Sequence, residues 1–286
     1  MIRLALTDLD DTLIPSGLSR ASDRALAAIR AMLDAGLHFG PVSGRLPAAM
    51  DWMFGGSKEC CATGAYCNGQ MVYLDGELIS VTRLDGGELD LVAGWLTRNT
   101  DDAVLAVFDV RGGRGVDGDG RCVTTDPSRL SRMGDGFGCA GVVPRLDEPS
   151  YVKANIRCGG TSAHRLEVRD ALREEFPTFD FVFPSTWAPL IDIMPRGWTK
   201  GSGVRVLADA LGIGLDEVAT FGDSENDLGM IVGFPNSVAV ANASGEVRRA
   251  ARWHIGPSSE DSVAAALLDI AEAARAGKMP RFMSEP

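Results

Sequence analysis

The sequence predicts an α/β protein: a parallel-sheet core interrupted by an inserted α+β unit. Three observations carry this expectation. Residues 2–42 read as strand, helix, strand, with a polar cluster at the end of each strand. The same texture returns after Thr199, and between 85 and 185 it gives way to strands and helices without that alternation. The expected division is a core of residues 1–84 and 186–286, with residues 85–185 inserted.

Each element has a local reason. Residues 2–7 form a buried strand that ends in Asp8-Leu9-Asp10-Asp11. A helix follows over 22–35, because Leu26, Ile29 and Leu33 fall on one face and Gly36 suits the position after the last turn. A second strand, 37–42, ends at Ser43-Gly44-Arg45; Pro41 near its end removes a single ladder N–H. Residues 66–80 predict a hairpin with turns at Asn68-Gly69 and Asp75-Gly76. In the insertion, Asp85-Gly86-Gly87 reads as a hinge and 88–99 as a helix. A strand at 103–110, a glycine-rich loop at 111–120, a strand at 151–158, a helix at 162–175 and strands at 179–183 and 189–194 follow. Phe183-Pro184 reads as the second hinge. The core resumes with a helix at 200–211 and a strand at 217–221 that ends in Gly222-Asp223. A short helix, a strand at 237–240 and a long helix at 259–276 close the chain. Ser258 or Ser259 is the expected cap, and the last ten residues read as a loose tail.

The chain has 286 residues, room for two domains and a large core without structural cross-links. Its net charge of −11 repels phosphate backbones, which excludes nucleic acid as a general partner but not a small anion at a local cationic site. No stretch approaches 18 apolar residues and no leader is recognisable, so no membrane span is expected and the cytoplasm is the expected compartment. Six cysteines, with no CxxC spacing, read as reduced thiols and not as a zinc site. His38 reads as strand packing, and His164 and His254 as surface residues. Trp52-Met53-Phe54 reads as a helix end packed on the core. The run RGGRGVDGDG at 111–120 lacks the features of a nucleotide loop or a calcium loop.

The chemistry concentrates at strand ends. Asp8 and Asp10 stand at alternate positions after a buried strand, so both carboxylates emerge at one crevice and need a cation or a shared proton. Asp223 ends another apolar strand, with Asp227 one helical turn further on. An oxygen-only set favours Mg²⁺ over softer metals. Lys200 and Ser43 could supply the charge and donors that a phosphoryl group needs.

The ordered set DLDDT (8–12), SGR (43–45), Lys200 in TKGSG and GDSENDLGM (222–230) resembles the haloacid dehalogenase superfamily, in particular its Cof-type, subclass IIB phosphatases. The resemblance implies a Rossmann-like hydrolase core with a type-2 cap inserted between the second and third motifs. Spacing agrees: 35 residues separate Asp8 from Ser43, but 157 separate Ser43 from Lys200. It implies roles as well. Asp8 would be the nucleophile that becomes an aspartyl phosphate, and Asp10 the general acid and base, its carbonyl helping to hold Mg²⁺. Asp223 would be a direct metal ligand and Asp227 a second ligand or an outer carboxylate, with Asn226 nearby. Ser43, with the Gly44 backbone, would bind the phosphoryl group, Lys200 would neutralise it, and Arg45 and Asn226 would reach the substrate. The implied substrate is a small phosphorylated metabolite, a sugar phosphate first. Two departures stand out: Ser43 where Thr is usual, and Asp11 where Gly is frequent. A phosphomutase or phosphotransferase shares these motifs. A phospho-aspartate switch is disfavoured by Asp10 and by the insertion, and a binding module by the complete catalytic set. The oligomeric state is left open.

Overall fold

The structure, a computed structural model, describes residues 1–108, 121–132, 141–184 and 188–284. The chain divides into two compact units, Met1–Ser80 with Thr199–Pro286, and Val81–Trp198.

The first unit begins with β1 (Leu4–Thr7), α1 (Asp23–Asp34), β2 (His38–Pro41) and α2 (Ala49–Met53). A three-stranded antiparallel sheet, β3 (Gly64–Tyr66), β4 (Met71–Leu74) and β5 (Glu77–Val81), follows. The β4–β5 turn has positive φ at both Asp75 and Gly76, the conformation a two-residue hairpin demands.

The second unit holds β6 (Leu84–Asp85), α3 (Gly86–Asn99), β7 (Ala103–Phe108), β8 (Arg121–Val123), α4 (Ser128–Arg132), β9 (Gly141–Val143), β10 (Ser150–Tyr151), β11 (Lys153–Cys158), α5 (Ser162–Glu175), β12 (Phe179–Val182) and β13 (Leu190–Pro195). Its main sheet runs β12-β13-β11-β7-β8-β9. Leu105, Val107, Ala154 and Ile156 from this sheet bury against Leu89, Val92 and Leu96 of α3 and Leu172 of α5. β13 therefore belongs to the inserted unit, which extends beyond the expected 85–185 at both ends. The two glycine- and proline-marked hinges lie inside it. Asp85 caps α3 by accepting the Glu88 N–H at 2.9 Å, and Gly86 packs against the Glu148 carbonyl. The expected loop at 111–120 lies outside the described residues.

The first unit resumes with α6 (Lys200–Leu211), β14 (Val218–Gly222), α7 (Leu228–Gly233), β15 (Asn236–Ala239), α8 (Gly245–Ala250), β16 (Trp253–His254) and α9 (Ser262–Arg275). Its sheet has the order β16-β15-β14-β1-β2 and is parallel throughout. Leu4 and Leu6 of β1 pack with Val204, Leu207 and Ala208 of α6. The alternate Ala5 is equally buried, so both faces of the central strand are covered.

Several expectations fail in detail. α9 is entered through Asp261, which has positive φ and makes no side-chain cap, not through Ser258 or Ser259. Asp261 instead accepts from Ser22 Oγ at 2.8 Å. The tail through Ser284 is docked: Arg281 Nε donates to Asp269 at 2.7 Å, and Met283 is buried. Trp52 is half exposed, whereas Met53 and Phe54 are buried. Cys60, Cys61, Cys67 and Cys158 are free thiols, but Cys122 is disulfide-bonded, so the expectation of six reduced thiols fails there. No helix among the described residues is long and apolar enough to cross a membrane.

Candidate active site

Three neighbouring strands deliver three side chains to one edge. In the order β14-β1-β2, the residues just past the carboxyl ends are Asp223, Asp8 and Ser43. Parallel sheets place their ligands at that edge. The Asp8 N–H donates to the Phe221 carbonyl at 2.9 Å, which ties the start of the Asp8 loop to β14.

Lys200 reaches the same place from the first turn of α6. Gly201 packs against the Gly229 carbonyl, and a Cβ on Gly203 would come within 2.7 Å of Gly69 Cα, so only glycines let the helix start this close. Lys200 is fully buried. Its Nζ donates to Asp8 Oδ1 at 2.5 Å and to Asp227 Oδ1 at 2.6 Å. The other oxygen of Asp227 accepts from the backbone N–H of Asp223 (2.8 Å) and of Ser224 (2.9 Å). A Cβ at position 222 would sit 2.6 Å from Asp227 Cβ, so Gly222 makes room for this folded-back carboxylate. Asp223 Oδ1 accepts from Thr12 Oγ1 at 2.7 Å.

Asp8, Asp223 and Asp227 each bring a carboxylate oxygen within 4.8 Å of the others, and all three residues are buried. One ammonium against three carboxylates leaves a deficit of positive charge. Burial pushes the Asp8 carboxyl well above its ordinary range; Asp227 and Asp223 push the same way, and Lys200 offsets them only in part. Burial and then Asp227 lift Asp223 to about 7. For Lys200, burial alone would lower the ammonium, but Asp227 and Asp8 outweigh it and hold it charged. An oxygen-only, dry set short of positive charge fits a hard divalent cation such as Mg²⁺.

Asp10 does not join this set. The chain turns away after Leu9: Asp11 has φ 63°, and the Asp11 N–H donates to the Ile14 carbonyl at 2.8 Å. That left-handed conformation accounts for the frequency of Gly at this position, and Asp is among the residues that tolerate it. The Asp10 carboxylate is half exposed and is clasped by Arg45, whose Nε and Nη2 donate at 2.7 and 2.8 Å. Arg45 also stacks over Trp52, 5.6 Å from its centroid. Sequence reading missed this partnership, since nothing local links position 10 to position 45.

Ser43 is buried. Its backbone N–H donates to the Ala65 carbonyl at 2.9 Å, and its Oγ accepts the Arg45 N–H at 3.2 Å. Gly44 lies between them in the same turn. Asn226 is held by Ser224 Oγ, which donates to its Oδ1 at 2.9 Å, while its Nδ2 donates to Asn68 at 3.3 Å. Thr12 and Asn68 belong to this neighbourhood and were not singled out from sequence. Thr12 could have been, as it closes the DLDDT run.

The charge deficit makes a testable prediction. Asp223 keeps a proton up to about pH 7 in the metal-free fold, against an ordinary value of 3.8. The native chain then binds more protons than the unfolded chain between those values. Metal-free stability therefore falls as pH rises through that window, by about 1.4 kcal/mol per unit from Asp223, and Asp8, raised in the same direction, adds to the fall. A divalent ion held by Asp8 and Asp223 must displace the protons these carboxyls keep, so the apparent affinity of Mg²⁺ should rise by at least about tenfold per pH unit below 7. Calorimetric titration at pH 5.5, 6.5 and 7.5 checks this, and a pH-independent affinity would contradict it.

The family model for haloacid dehalogenase-like hydrolases matches residues 5–114 and 146–267. A Haemophilus influenzae protein is 34% identical over 109 residues, 38% of this chain and 41% of that one. A phosphoglycolate phosphatase of Halorubrum lacusprofundi is 45% identical over 78 residues, 27% of this chain and 34% of that one. The chain thus spans less than half the length of these curated relatives. Among solved structures, SMU.1108c from Streptococcus mutans superposes with a TM-score of 0.77 at 17% identity, covering 96% of this chain and all of that one. BT4131, described as a subclass IIB sugar phosphatase, superposes with a TM-score of 0.72 at 18% identity, covering 93% and 97%. These likenesses establish the fold. With the family model matched over most of its length, the chain belongs to the haloacid dehalogenase-like hydrolases.

Proposed function

We propose that this hydrolase is a Mg²⁺-dependent phosphomonoesterase acting on small phosphorylated metabolites, sugar phosphates among them, through a phosphorylated Asp8. The observation that carries the reading is the buried Asp8 carboxylate, held by Lys200 inside a carboxylate set that lacks one divalent cation's worth of charge. Asp8 attacks phosphorus and the ester oxygen leaves, giving an aspartyl phosphate and an alcohol; attack by water then releases phosphate and restores the carboxylate. Asp10, after taking a proton from solvent, gives it to the leaving oxygen and afterwards takes one from the attacking water. To do so it must leave Arg45, whose two-point clasp is half exposed and therefore weakened by solvent. Asp8, Asp223 and the Asp10 carbonyl would hold Mg²⁺, which supplies charge neutralisation when bound. Asp227, saturated by Lys200 and two backbone N–H groups, acts as the outer carboxylate that fixes Lys200. Ser43 and the Gly44 backbone bind phosphoryl oxygens, and Asn226 braces the Asp223 loop.

The inserted unit, in this reading, selects the leaving group, because the core residues meet only what every phosphate ester shares. The experiment is a panel of sugar phosphates and one aryl phosphate, with Mg²⁺ and after chelation. Hydrolysis of all should cease without a divalent ion; full activity after chelation would overturn the proposal. Replacing residues 81–198 by a short linker should flatten the ranking of sugar phosphates while the aryl phosphate changes little. An unchanged ranking in a folded trimmed protein would place selectivity in the core.

A further inference from the structure

A second group of ligand-bearing side chains converges in the inserted unit, apart from the acidic set: Asp102, Cys158 and His164. They come from three segments. Cys158 closes β11 and lies opposite Ala103, the first residue of β7. Asp102 immediately precedes Ala103. His164 sits in the first turn of α5, where its N–H donates to the capping Thr161 Oγ1 at 3.2 Å. One carboxylate oxygen, the sulfur and one imidazole nitrogen all lie within 4.8 Å of one another. His164 Nε2 and Asp102 Oδ1 are 3.0 Å apart. Two ligands on a tetrahedral zinc ion, with bonds of about 2.0–2.1 Å, stand roughly 3.3 Å apart. This pair need open only slightly to share an ion.

The backbone makes room for the convergence. A Cβ at Gly160, where φ is +70°, would lie 2.9 Å from His164 Cδ2 and 3.1 Å from Asp102 Oδ2. One at Gly159 would lie 3.2 Å from Asp102 Oδ2. The Gly159 N–H donates to the Asp102 carbonyl at 2.9 Å, which fixes the two loops together. Cys158 is buried, whereas the side chains of His164 and Asp102 are about a third exposed. Those two border an open pocket of about 660 Å³, with Thr100, Asp101 and Thr161. An ion can therefore arrive from solvent on one side and meet the thiol on the other.

We propose that Asp102, Cys158 and His164 form a binding site for a zinc-class divalent ion, with water in the fourth position toward the pocket. A carboxylate and a thiolate balance the charge of the ion, and the sulfur and nitrogen donors select against Mg²⁺. Binding displaces the thiol proton to solvent, and the proton that His164 Nε2 shares with Asp102 must move to Nδ1 or leave to solvent, which frees the Nε2 lone pair for the ion. The ion clips the start of β7, the end of β11 and the first turn of α5, so it stabilises the inserted unit by mass action. Cysteine spacing could not signal the site, because only one ligand is a cysteine and Asp102 lies far from the others in sequence.

The test titrates the full chain with Co²⁺, a spectroscopic stand-in for Zn²⁺, in excess Mg²⁺ to keep the acidic set occupied. A near-ultraviolet thiolate-to-cobalt band should saturate at one ion per chain and vanish when Zn²⁺ is added. His164→Ala and Asp102→Asn should each weaken Co²⁺ binding at least about tenfold, a loss that even outer partners of metal ligands can produce. Cys158→Ala should remove the band, and a Cys60→Ser, Cys61→Ser variant should keep it. The proposal is overturned if no thiolate band forms, if the band ignores His164→Ala and Asp102→Asn, or if it is lost with Cys60 and Cys61. The two partly exposed positions keep the test decisive should Cys158→Ala fail to fold.

Discussion

Asp8→Asn should lower turnover by at least about 10⁴-fold and abolish the covalent phosphoenzyme, the scale seen when a nucleophile is removed. The amide has the shape of the carboxylate but is no nucleophile, so geometry is kept and chemistry lost. The structure adds a control. Asp8 is one of three buried carboxylates that share a single ammonium, and burial raises its carboxyl well above the ordinary range. A neutral amide relieves that repulsion, at the cost of a charged partner for Lys200. Metal-free thermal stability should therefore hold or rise while activity disappears, which separates a chemical role from a structural one. Asp10→Asn should cost less, about 10²–10⁴-fold, the contribution of a positioned acid–base group. Its half-exposed side chain predicts little change in stability. Rates on an aryl phosphate, with acid-quench trapping of phosphate on the protein, provide the measurement. Wild-type turnover by Asp8→Asn would exclude Asp8 as the nucleophile.

What was readable in the sequence was what local patterning dictates. Apolar runs that stop at Asp8, Ser43 and Asp223 are strand ends, and parallel order puts strand ends on one edge. The long interval between Ser43 and Lys200 required an insertion, and its helices followed from spacing and caps. What escaped depends on contacts between distant positions. The Arg45–Asp10 clasp joins two loops through side chains alone. Arg281 docks the tail onto Asp269 of α9, although the tail itself has the composition of a loose end. β8 and β9 are three residues each, too short for a periodic signal; the strand at 189–194 was legible, but a boundary at 186 cut it off from its partners β12 and β11. Asp11 was visible as an oddity; its left-handed backbone explains it only once φ is known.

Lys200→Met should be the most destabilising single change in the core. The methionine matches the length of the stem but brings no charge to a site where Nζ lies 2.5 Å from Asp8 and 2.6 Å from Asp227, with none of the side chain exposed. Removing one partner of a buried pair leaves an uncompensated charge and costs about 3–5 kcal/mol. The carboxylates can escape part of that cost by binding protons, and this sets the pH dependence. Without the ammonium, which lowers Asp8, the native carboxyls hold protons to a higher pH than in the wild type. The variant's native state then carries more protons than the wild type's, and its stability falls more steeply as pH rises. The stability gap should thus be larger at pH 8 than at pH 5 in chelator. Mg²⁺ should narrow it at pH 8, where the carboxylates are free to bind the ion. Urea denaturation of both proteins at the two pH values measures the gap. A gap below about 1 kcal/mol, or one that is the same at both values, would mean that Lys200 is not the counter-ion that keeps this site folded.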